Sequence, residues 1–385
     1  MAYLVKQISN IVNDAVKDAL GKNATASQLD SSDIVSLGKT IASFEAYEGF
    51  YKSLVNRIAQ TVYFVRTYEG KNRSVLRDEH EYGAFIQKVY YELPDAVDNA
   101  TWDIPDETTG AYKQVSPYDV EGTIATSSLI YGGKGTWSIE VLRPVEQIKS
   151  AFLSPSDMSA FIDGIYLTIE NAYKVEEERL TALAVNTAMA DAIEGGISRN
   201  LLAEYNTNHP EATLTVTQAL ESADFLKYAS MEINRVIENM QVMSTAYNKA
   251  GYSTFTSTDK LVVEMLAQFA TASDMYLQAD TFHNELTKLP NFEKIPFWQA
   301  SGKNFEFGDC SKINIKHDDI GEVNQSGIIC FVHDVENVAC YFGNRRTWEM
   351  FNPRSEVMIH GEKTEKGYAV DEHANSIVFY IAETV

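Results

Sequence analysis

Cysteine is scarce in this chain: three residues in 385, Cys310, Cys330 and Cys340, with no CxxC pair. An odd count without paired spacing argues against a zinc ribbon and a disulfide framework, and fits a reducing compartment. Long apolar runs are missing too. None approaches the ~20 residues that span a bilayer, and the start, Met1 to Ile8, carries Lys6 without the apolar stretch of a secretory signal. Folding in the cytoplasm is the expectation, so the sequons at Asn23, Asn72, Asn99 and Asn324 carry no weight. Positive charge is in short supply as well. With 32 Lys and Arg against 54 Asp and Glu, the formal charge is −22. Such a surface repels phosphate and anionic lipid, which disfavours general nucleic-acid and membrane binding.

Catalytic and ligand-binding motifs are equally sparse. There is no GxxxxGK[ST] loop, GxSxG elbow, HExxH helix or EF-hand loop. The glycine-rich stretch Gly132-Gly133-Lys134-Gly135-Thr136 lies between two strand-like segments, so it reads as a hairpin turn; a phosphate cradle needs a following helix. His80 among Asp78, Glu79 and Glu81, and His317 beside Asp318 and Asp319, read as solvated charge runs, because neighbours on an extended chain point to opposite faces. Glu176, Glu177 and Glu178 read as the wet face of a helix. No catalytic residue, cofactor site or metal site is assigned. The 21 Tyr and 18 Phe residues suit core packing and subunit contact better than base stacking on so acidic a chain.

What the sequence does contain is ordered by period. Apolar residues at three- and four-residue spacing from Leu4 to Leu20 predict an amphipathic helix stopped by Gly21, and a second helical stretch covers Ile34 to Ala59. From Thr61 the texture turns β-branched and aromatic, giving strands at Val62 to Tyr68, Phe85 to Tyr91, Thr123 to Ile130 and Thr136 to Leu142. Leu93 to Val120, with Pro94, Pro105 and Pro117, predicts an irregular, projecting arm. Ser154, Pro155 and Asp157 form a helix start, and the apolar period then runs to Gly195 and Gly196. Forty residues at 1.5 Å each would make a rod of roughly 60 Å, beyond the usual globular helix, with Gly164 and the three glutamates as weak points. Helices are also predicted over Thr215 to Ala250 and Lys260 to Ala272. Strands follow at Ile313 to Lys316, Ile328 to His333, Val338 to Phe342, Glu356 to His360 and Ser376 to Ala382. Strands and helices in separate runs define an α+β class.

The end of the chain carries the phrases Asn337-Val338-Ala339-Cys340-Tyr341, Arg345-Arg346, Asn352-Pro353-Arg354, Lys366-Gly367-Tyr368 and Asn375-Ser376-Ile377-Val378-Phe379. With the order of elements, these resemble the major capsid proteins of tailed double-stranded DNA phages, the Hong Kong 97-type capsid fold. The resemblance implies an N-terminal helical arm (1–60), an extended β-hairpin loop region (61–150), a long spine helix of a peripheral domain (151–196), an axial domain (197–335) and a return to the peripheral and axial sheet (336–385). It further implies a non-enzymatic subunit that self-assembles, as pentamers and hexamers, into an icosahedral virion shell around DNA that it does not read by sequence. Scaffolding and portal proteins would be its other partners. Arg345, Arg346 and Arg354, in a turn-rich stretch of an acidic chain, are the candidates for carboxylate pairs at subunit contacts. An encapsulin-like cargo shell, and an enzyme using Leu93 to Val120 as a lid, are the alternatives.

Overall fold

The computed structural model describes residues 14–15, 86–91, 93, 126–131, 135–144, 155–279, 292–299, 309–318, 320–343 and 345–383. The two N-terminal helices, the strand at 62–68 and the arm at 93–120 lie almost wholly outside the described residues. The chain divides into two compact units. Residues 1–80, 134–181 and 340–368 form the first, and residues 81–133, 182–339 and 369–385 the second.

The first unit is built on a sheet whose centre is its longest strand. Among the described residues, the strands β1 (Ile86–Tyr91), β2 (Thr126–Tyr131) and β3 (Gly135–Pro144) come first. β3 pairs antiparallel with one side of β12 (Val357–Val370), and β11 (Arg346–Asn352) pairs antiparallel with the other. β10 (Val338–Phe342) also joins β12. Two glycines let aromatic rings lie on this sheet. A Cβ at Gly361 would fall 2.1 Å from Trp348 Cε2, and one at Gly367 would fall 2.0 Å from Tyr341 Cζ. β1 and β2 pair with each other in the second unit. The glycine-rich stretch after β2 therefore does not close a β2–β3 hairpin, as its sequence suggested: each strand has found a different partner.

Helix α1 (Pro155–Glu194) is unbroken over 40 residues, through Gly164 and all three glutamates. Glutamate is a good helix former, and Arg179 pairs with Glu176 one turn earlier. Glu177 is buried, not wet as its run of charge suggested, because it falls on the face that also buries Tyr173 and Leu180. The helix ends where the glycines predicted. Gly196 takes φ +75°, its N–H donates to Ile193 O at 3.1 Å, and Ile197 N–H donates to Ala192 O at 2.8 Å. That pair of bonds satisfies carbonyls the last turn would otherwise leave open. The residues 184–192 at its C-terminal end are buried on every side, which alanine at 184, 188, 190 and 192 permits.

The second unit holds a five-stranded sheet in the order β4 (Ser198–Asn200), β13 (Ser376–Tyr380), β9 (Ile328–Asp334), β5 (Leu261–Leu266), β6 (Glu293–Ile295). Its two edge pairs are parallel and its two central pairs antiparallel. Every residue of β9 is buried, so the sheet is covered on both faces. Around it lie α2 (Leu201–Asn208), α3 (Val216–Glu221), α4 (Ala223–Met240) and α5 (Ala267–Ala279). A separate antiparallel pair joins β7 (Ile313–His317) to β8 (Gly321–Gln325).

Two sequence expectations are corrected here. The helix foreseen over 215–250 is two helices followed by turns. Thr215 caps α3 in a reciprocal box with Gln218, and Ser222 accepts a bond from Phe225 N–H to start α4 afresh. The helix foreseen from Lys260 begins instead as β5. Its six residues Leu-Val-Val-Glu-Met-Leu fit a buried strand as well as a helical turn, and pairing with β9 decides the matter. Among the described residues, no helix is long and apolar enough to cross a membrane.

Candidate functional site

In the first unit, the alternation of β11 and β12 sets Glu349, His360 and Glu362 on one buried face of the sheet, where a period-2 reading would expect apolar residues. Arg345 enters this layer just before β11. Its guanidinium lies 3.1 Å from Glu170 on α1 and 3.4 Å from Glu362, and sits 3.5 Å over the ring of Tyr173. Tyr173 in turn packs against Trp137 of β3 with ring centroids 5.3 Å apart. The cation is thus held by two carboxylates and an aromatic face, a combination that offsets the cost of burying it.

His360 lies between two of the acids. Nδ1 is 3.6 Å from Glu349 and Nε2 is 4.0 Å from Glu362, contacts of charge, too long for hydrogen bonds. Burial disfavours its charged form, but the flanking carboxylates outweigh that and raise its pKa above the ordinary value. Arg345 and His360 together face three carboxylates, the half-buried Glu170 and the buried side chains of Glu349 and Glu362.

The three arginines chosen from the sequence have different surroundings. Arg345 is 7% exposed and its carboxylate partners belong to its own chain. Arg346 is 73% exposed and reaches Glu365 at 2.8 Å. Arg354 is exposed, in the turn after β11, where its backbone N–H donates to Asn352 Oδ1 at 3.0 Å. Of the three, the side chains exposed at the surface are therefore those of Arg346 and Arg354. Sequence reading did not find Glu170 or His360. The former lies 175 residues from its arginine, and a histidine inside a strand carries no local mark of its acidic neighbours. Among the described residues, no group of three or more His, Cys, Asp or Glu is placed to hold a metal ion.

The chain is similar to one in the capsid structure of Staphylococcus phage Andhra, with a TM-score of 0.52 and 11% identity over 83% of this chain and 86% of that one. It is also similar to a chain in the structure of the head fibre and inner core protein of native bacteriophage P68, with a TM-score of 0.56 and 10% identity over 82% and 86%. These likenesses give the fold, the Hong Kong 97-type fold of phage capsids. The sequence profile of the Phi29-like phage major capsid protein family matches residues 12–380, and the chain belongs to that family. No curated protein matches it. It is a structural capsid protein of a phage virion, where many copies assemble into the shell.

Proposed function

We propose that this chain tiles an icosahedral head enclosing double-stranded DNA, as rings of five and six copies. The family match over residues 12–380 carries the reading, and the 40-residue α1 supports it as a spine too long for a compact globule. In this reading residues 1–60 are an arm, 61–150 an extended hairpin loop, 151–196 the spine, 197–335 an axial domain, and 336–385 the return to both sheets. Its role is structural and not catalytic. The charge of −22 suits a container: walls that repel the polymer let it slide during filling, without reading its sequence. Arg346 and Arg354 face neighbouring copies, scaffolding and portal proteins are the further partners, and synthesis takes place in the bacterial host's cytoplasm. Expression alone and with its genomic neighbours, followed by light scattering and negative-stain microscopy, is the test. Closed shells or five- and six-membered rings are expected. A monodisperse monomer under every condition refutes the proposal.

A further inference from the structure

The register of the first unit's sheet determines which side chains share its other face. Ile359 of β12 pairs with Leu142 of β3 on one side and Met350 of β11 on the other, so these three form a single cross-strand row. Leu142 is 59% exposed and Met350 51%. The next row on the same face is Pro144, Val357 and Asn352; on the opposite side lies Glu140, Gly361 and Trp348, with the indole occupying the space above the glycine. The result is a largely apolar strip, centred on Leu142, Ile359 and Met350, on a sheet whose reverse side holds the buried charges. Isolated apolar residues at a surface are ordinary, but a contiguous row on a rigid sheet marks an interaction site.

The rim indicates what covers it. Around the strip stand three exposed cations, Arg346, Lys363 and Arg354, and three carboxylates, Glu140, Glu356 and Glu365. The whole chain has 54 acidic residues to 32 basic ones, so charge cancels here as it does not on average. Two copies carrying −22 each repel one another over most of their surfaces, and meet at least cost where the local charge is balanced and the centre is apolar. We infer that this face of the β3–β12–β11 sheet is a contact surface for a second copy of the chain. The inference rests on the shell-building reading and deepens it by naming the surface.

The test combines a variant with a footprint. In Leu142→Ser/Met350→Ser both changes are on exposed positions, so the subunit's unfolding midpoint stays at the parent's value while the concentration needed for assembly rises about tenfold or more. Independently, hydroxyl-radical oxidation of Met350 in the parent slows on going from free subunit to particles made from this chain alone. Assembly of the variant at the parent's concentration, or equal oxidation of Met350 in subunit and particle, overturns the inference and leaves the shell reading intact. Protection of Met350 only in complete virions also overturns it, because another virion protein is then the occupant. A folded parent that forms no assembly under any condition removes the shell reading, and this inference with it.

Discussion

Replacing Glu264 by glutamine isolates the cost of a buried carboxyl. Glu264 is fully buried in β5, in register with Phe331 of β9 and Glu293 of β6. Neither of its carboxyl oxygens has a hydrogen-bond partner among the described residues. Burial, reinforced by the Glu293 charge, pushes its pKa up to about 8. In the unfolded chain the same group ionises near ~4.3. Between those values the folded state keeps a proton that the unfolded state has released. Stability therefore falls as pH rises, by about 1.4 kcal/mol per pH unit. From about pH 5 to about pH 8 the loss accumulates to roughly 4 kcal/mol, a large share of the ~5–15 kcal/mol of an ordinary domain. The amide of Glu264→Gln keeps the shape and cannot ionise, so the variant lacks this slope. Urea unfolding of the unassembled subunit reads it directly. Parent and variant should lie close together near pH 5, with the variant ahead by roughly 3–4 kcal/mol near pH 8. A difference that stays constant across that range refutes a neutral buried carboxyl.

Three further outcomes follow from the first unit. Arg345→Ala leaves Glu170 and Glu362 without their cation and should cost about 3–5 kcal/mol in denaturant unfolding; a loss under about 1 kcal/mol would mean the pair is screened by solvent. His360 has a raised folded pKa, so its stabilisation is complete below the unfolded value of ~6.5 and is lost as pH climbs through the folded one. His360→Gln should flatten that alkaline loss, and a parent equally stable on both sides of the window would contradict the assignment. Gly361→Ala drives a methyl into the Trp348 indole, with an expected cost of about 1–3 kcal/mol and a shift in tryptophan fluorescence; an unchanged spectrum would show that the ring does not rest on the glycine.

The boundaries of α1 could be read from the sequence because three local signals mark its start and two glycines its stop, all within a few residues of each end. β10 was legible over its full length, Val338 to Phe342, as a short apolar run with two aromatics, bounded by turn residues. β12 was foreseen only to His360 although it runs to Val370, because Glu362, Lys363, Glu365 and Lys366 hide the alternation. Two of its inward positions, His360 and Glu362, are polar, and only the arrival of Arg345 makes them tolerable there. β11 was read as turn-rich for a similar reason: its buried position is a glutamate and its outer one a methionine, the reverse of the usual pattern. The arginine pair was legible as a residue type in need of carboxylates. Which arginine turns inward depends on contacts across some 175 residues, and no local window holds that information.

The pairing of β3 with β12 also fixes a timetable. These strands are separated by about two hundred residues, and at ~5–20 residues per second the ribosome needs roughly 10–40 s to make the second after the first. Until then β3 lacks its β12 partner and Glu170 lacks Arg345. The closing of so long a loop is also slow once the chain is free, since its ends must meet before any contact rewards them. A nascent chain therefore offers other copies no finished first unit until β12 has been made. Subunits made side by side on one messenger cannot join through the β3–β12–β11 face before β12 has left the ribosome.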